Sequence, residues 1–249
     1  MIRALVLSAL CLLAIPVTSA KAQDGLNLPP EGTTIINFSA TEKRTMPQDL
    51  LIASLRIEVD DKNDPAAVQK KINEAMKKAL DLAKANSKYK VSTGAYSVYK
   101  YDRPIIVNNA HNGKYDSVWR GSQEITIESK DSTALLETVG KIQESGFAMN
   151  NLAYTLSPEV VDKVRDELMV EALKKLTAKA KIVAETLGKT NVNLVDVNVD
   201  TGGPIMPMYK TMMARAEVAM DAGAPMPPPV AEAGETDVAL TVSARALIK

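Results

Sequence analysis

The residues with the clearest chemical option in this chain are methionines. Met206, Met208, Met212, Met213, Met220 and Met226 fall in one stretch, six of the 11 in the chain. Thioether sulfur is a soft ligand suited to Cu(I), so Met206, Met208, Met212 and Met213 form a candidate copper set. The alternative is an adaptable apolar loop packed on a neighbouring subunit or partner, with Met220 and Met226 as contact residues. The second reading is the favoured one, and no cofactor is assigned. His111 is the single histidine and sits among Asn108, Asn109 and Asn112. One histidine cannot build a histidine-rich metal site, and a solvated loop residue is the expected role. Asp60-Asp61-Lys62-Asn63-Asp64 is rich in oxygen ligands but lacks the central glycine and distal glutamate of a calcium loop. It leads into a helix, so Asp64 is expected to be an N-cap. Nucleotide, zinc-protease and serine-hydrolase motifs are absent. No catalytic residue is proposed, and the chain is expected not to be an enzyme.

A second cluster is aromatic. Tyr89, Tyr96, Tyr99 and Tyr101 surround one expected strand, and Trp119 lies on the next. Tyrosine suits a sheet face and is also common where proteins meet. Tyr96, Tyr99 and Tyr101 are therefore candidate interface residues.

The elements that position these groups begin after residue 22. Arg3, the apolar run from Ala4 to Val17, and Ala20-Lys21-Ala22 form a secretory signal with cleavage after Ala22. Cys11 follows Leu10, which does not make a lipobox, and it is the only cysteine. The mature chain therefore has no disulfide or thiol nucleophile. Removing residues 1–22 of 249 leaves 227. The 30 basic residues less Arg3 and Lys21, against 30 acidic ones, leave a formal charge of −2. That balance gives no electrostatic case for nucleic acid. The mature chain has no second apolar run long enough for a membrane-spanning helix. The expected site is the periplasm, free or held at the outer membrane.

Alternating apolar residues mark strands over 33–41, 49–60, 91–101, 117–129, 149–156, 193–200 and 236–248. Arg103 to Asp116 reads as a polar hairpin loop turned by Asn112-Gly113. In the strand over 193–200, Val195, Val197 and Val199 are expected inward. Val68, Ile72, Met76, Ala79 and Ala83 give one helix after Asp64-Pro65, and Leu135, Leu136, Val139 and Ile142 a short second. Ser157-Pro158-Glu159 opens a third over about 158–187, roughly 45 Å long. The expected fold is α+β, with largely antiparallel sheets, packed helices and the order β-β-α-β-β-α-β-α-β-β. Residues 201–234 form an irregular excursion carrying six of the 13 prolines.

In their order along the chain, several of these pieces resemble the SIMPL-domain family of bacterial exported proteins, which includes periplasmic immunogenic proteins. They are Pro47-Gln48-Asp49-Leu50 running into Leu55 to Val59, Val91-Ser92-Thr93 followed by Tyr96-Ser97-Val98 and Tyr101, and Gly121-Ser122-Gln123. Ala172, Ala180 and Ala184 before Leu187-Gly188, and the excursion leading to Gly234-Glu235, complete the set. Ala246-Leu247 stands where family members often carry an aromatic residue. The resemblance covers the mature chain, 23–249. It implies an α+β fold, an envelope location, self-association and a link to stress tolerance, including oxidative stress. It supplies no catalytic residues.

Overall fold

A computed structural model describes residues 31–107, 110–200 and 229–249. The candidate copper set and Met220 and Met226 lie outside the described residues, as do the expected signal segment and its expected cleavage point, Ala22. The described strands are β1 (Thr34–Pro47), β2 (Leu50–Asp61), β3 (Lys90–Thr93), β4 (Ser97–Val107), β5 (Ala110–Ser129), β6 (Ala148–Thr155), β7 (Val192–Asp200) and β8 (Glu235–Ile248). The helices are α1 (Pro65–Lys84), α2 (Ser132–Glu144) and α3 (Pro158–Thr186). The fold is α+β, as expected, with one more strand than the sequence reading placed.

The strands form two sheets, in the orders β1-β8-β7 and β3-β5-β2-β6, with β4 beside β5 on the same side as β3. Each strand pairing is antiparallel. In the larger sheet, Leu51, Ala53, Leu55 and Ile57 of β2 alternate inward with Ile125 and Ile127 of β5. They meet Val68, Ile72, Met76, Ala79 and Ala83 of α1 and Leu135, Val139 and Ile142 of α2 in one core. The helical spacing of the α1 residues and the two-residue spacing of the strand residues are what let these faces meet. Asp64 caps α1, its carboxylate accepting from the Ala66 N–H at 2.8 Å. Asp61 closes the preceding turn by accepting from the Asn63 and Asp64 N–H groups. These bonds support the capping reading of the acidic run.

In the smaller sheet, β8 turns Val238, Leu240, Val242 and Ala244 toward α3. The helix answers with Val164, Leu168, Ala172 and Leu176, then Ala180 and Ala184 near its end. Residues four apart along α3 follow the sheet, and the alanines let the backbones come close.

Three local expectations are corrected. The segment 91–101 is two strands, interrupted where the Gly94 N–H bonds to the Glu124 carbonyl. Arg103 to Asp116 is not a polar loop, because β4 and β5 remain paired to Val107 and Ala110. Asn112-Gly113 marks an irregularity inside β5, where three residues of β5 oppose one of β4 between Pro104/Tyr115 and Ile106/His111. Gly113 takes φ of +76° there, a left-handed conformation that glycine accepts without strain. Finally, a register shift after Leu194 makes Val195 the extra residue of β7. Val195 is therefore 47% exposed and Val197, at the margin of the sheet, 44%; Val199 alone of the three packs into the core.

Candidate functional site

The register of β5 decides where surface chemistry can gather. β2 accompanies β5 only as far as the Asp61/Trp119 pair, whereas β4 continues beside it to Val107/Ala110. From Tyr101/Val118 outward the sheet therefore becomes a two-stranded arm, about 20 Å long at the usual rise of a strand. Pro104 fits here because β4 is an edge strand. The β4 side of the arm ends on the sequence Pro104-Ile105-Ile106-Val107.

The base of the arm is fixed by charge. The Arg120 guanidinium forms two bonds to the Asp60 carboxylate, at 2.7 and 2.8 Å, and an ion pair with Glu58 at 2.8 Å. Its central carbon, Cζ, lies 4.4 Å from the centre of the Tyr101 ring. The bond from Arg120 holds the Asp60 carboxyl below its ordinary range, against the opposing effect of burial. Farther out, Asp116 is paired with Lys62 at 2.9 Å and Arg103 at 3.2 Å. The bond from Lys62 likewise lowers the Asp116 carboxyl. Ser122 joins β2 and β4, meeting Arg56 at 3.0 Å and Ser97 at 3.1 Å. These contacts tie the base of the arm to β2 and the turn that follows it.

Tyr99 and Tyr101 lie on the same face of β4, opposite Arg120 and Val118 respectively. Tyr101 is half-buried beneath Arg120, while Tyr99 is 46% exposed and Tyr96, just before the strand, 44%. The three candidate interface residues are thus near one another at the base of the arm. Tyr115, which the sequence reading did not single out, is 62% exposed on the arm. Tyr89 and Trp119 pack against the core, as an ordinary sheet would require. The backbone of His111 lies in the arm, paired with Ile106.

A second polar cluster joins the two sheets. Asp49 accepts from the Ser157 N–H and hydroxyl, both at 2.7 Å, and pairs with Lys130 at 3.2 Å. Lys130 also pairs with Glu159 at 3.3 Å. Burial alone would raise the Asp49 carboxyl, but the Ser157 bonds and Lys130 outweigh it and hold the group below its ordinary value. Ser157 stands at the N-cap of α3 but makes no side-chain cap bond there. Its hydroxyl instead turns to Asp49, whose carboxylate supplies the negative charge at the helix start. Ser157 is 1% exposed, so this hydroxyl is committed to the joint and unavailable as a nucleophile. Beside it, Leu156, Pro158, Val161, Arg165 and Thr236 border a shallow depression of about 280 Å³. Among the described residues, no group of three or more histidine, cysteine, aspartate or glutamate side chains is arranged to hold a metal ion.

Two antiparallel sheets, the larger backed by α1 and α2 and the smaller by α3, and a two-stranded arm define an α+β protein whose described polar clusters tie elements together. The sequence matches the SIMPL family model, described as a protein of unknown function (DUF541), over residues 36–246, and the chain belongs to that family. No curated protein matches it. A crystal structure from Burkholderia cenocepacia, of a protein provisionally assigned as an amidohydrolase/peptidase, shares 13% identity, with a TM-score of 0.23. That match covers 54% of this chain and 34% of the other, so the chain spans about a third of its length. A likeness this slight carries no inference about fold or activity. No helix among the described residues is long and apolar enough to cross a membrane.

Proposed function

We propose that this SIMPL protein is a non-enzymatic component of the cell envelope that acts by self-association, with the β4–β5 arm as its contact element. The observation that carries the reading is the arm itself. A two-stranded ribbon is marginally stable alone in water and gains from a third surface. This one carries Tyr115 along its length and has Tyr96 and Tyr99 exposed at its base. Tyrosine and arginine concentrate binding energy where proteins meet. The envelope location rests on the signal-like first 22 residues, and the connection to stress tolerance on the family resemblance. The copper alternative rests on the methionine sequence alone.

Light scattering and sedimentation of the mature chain provide the test. The comparison is a variant lacking residues 103–116, with Asp102 joined to Ser117 through an Asn-Gly turn. The unaltered chain should associate at micromolar concentration, and the shortened chain should remain monomeric with its fold intact. A monomeric unaltered chain, or equal association by both, would remove the reading.

A further inference from the structure

β1 is one of the two edge strands of the smaller sheet, β7 being the other. β1 pairs with β8 over 14 residues without a register shift, and among the described residues it pairs with no other strand. A long, regular edge of this kind is a template for another strand. It is not bare, however. Lys175 Nζ donates to the Thr41 carbonyl at 3.2 Å and Lys179 Nζ to the Ser39 carbonyl at 2.9 Å. Lys189 Nζ reaches the Gly32 carbonyl, just before the strand, at 2.5 Å.

The first two contacts match by geometry. Lys175 and Lys179 are four residues apart on a helix, a rise of about 6 Å. Ser39 and Thr41 are two apart on a strand, a rise of about 6.8 Å, and so present their carbonyls to the same side. The order is opposite because α3 runs antiparallel to β1. Neighbouring ion pairs hold the helix in this position: Lys175 meets Glu42 at 2.7 Å, and Arg44 meets Glu167 and, at 2.8 Å, Glu171.

We propose that the β1 edge is a latent pairing surface for β1 of a second copy of this chain, and that Lys175 and Lys179 keep it closed. Antiparallel pairing centred on Ala40 would set Ser39 against Thr41 of the other copy. It would also set Lys43 against Asn37 and Glu42 against Phe38, so no like charges meet. The lysines occupy the carbonyls that such a ladder needs. The inference is independent of the arm, since it concerns an association that the intact protein avoids.

The test is sedimentation of the full mature chain carrying Lys175→Ala and Lys179→Ala, compared with whatever assembly the unaltered chain forms. The double variant should sediment at a higher mass than the unaltered chain, twice that mass where the unaltered species is a monomer and more where an assembly presents several β1 edges. Adding Ser39→Pro should return it to the unaltered mass, because proline removes a donor on the free side while sparing the ladder to β8. Arginine at both lysine positions should keep the edge closed. If the alanine pair fails to fold, Lys175→Gln with Lys179→Gln shortens the reach, keeps helix propensity and carries the same expectation. A folded double variant of unchanged mass would overturn the proposal. So would an association that persists with Ser39→Pro, since it would not pass through this edge.

Discussion

Asp49 is one carboxylate placed where several segments meet. Its backbone N–H bonds to the Thr155 carbonyl, while its side chain holds Ser157 and Lys130. The preceding Gln48 exchanges bonds with Gly234, accepting from its N–H and donating to its carbonyl, and also reaches Thr236. Pro47-Gln48-Asp49-Leu50 was legible as a family-like string, but its purpose was not. Lys130 lies 81 residues from Asp49, and the other partners of Asp49 and Gln48 lie more than 100 away, so no local periodicity reports these contacts. Asp49→Asn should destabilise the fold by about 1–3 kcal/mol at neutral pH, because it removes a charged acceptor from a partly buried site. The sign of its pH dependence follows from the lowered carboxyl value. The Asp49 contribution is full above the ordinary carboxyl range and is lost as pH falls through the lowered folded value. Urea midpoints should therefore differ clearly at pH 7 and converge on acidification below about pH 4. A gap that widened in acid would contradict the assignment.

Among the elements, α1 comes close to β5 at Gly121. A side chain at Gly121 would put its Cβ 2.4 Å from the Ile72 Cδ1 and 2.5 Å from the Val68 Cγ1. Gly121→Ala should thus overpack the larger core and destabilise it by about 1–3 kcal/mol. Thermal unfolding would fall by roughly 2–10 °C. Ile72→Val in the same chain should relieve part of that loss, giving a positive coupling in a double-mutant cycle. Simple addition of the two penalties would show that the helix moves aside. Both helical stripes of the larger core and the alternation of β8 were readable, since each element buries one face and shows water the other. The arm was not. Beyond Val118 the described side chains of the arm are exposed or half-buried without alternation, and its asparagines and charges have the composition of a loop. Similarly, the extra residue at Val195 reverses part of β7 without any glycine or proline to announce it.

For the whole molecule, the two sheets differ in how far apart their strands lie along the chain. The larger sheet draws on residues 50–155, whereas the smaller pairs Thr34–Pro47 with Glu235–Ile248. Deleting residues 235–248 should leave amide protection in β2, β5 and α1 near its usual level and remove it from β1, β7 and α3. Hydrogen exchange by mass spectrometry would read both groups in one experiment. Equal loss in both would mean that the sheets stand or fall together. Refolding of the full chain should be slow for its size, because closing the smaller sheet requires contacts about 200 residues apart.

The pairing of β1 with β8 also sets a timetable. A ribosome needs roughly 10–40 s to add the 188 residues that separate Pro47 from Glu235. Throughout that interval β1 has emerged without its partner, while β2, β5 and their helices can already come together. A polypeptide threaded through a membrane channel from its amino end would keep the same sequence of events. Its earliest strand would wait at the exit until β8 arrived, so the finished small sheet reports that everything between the two strands has passed.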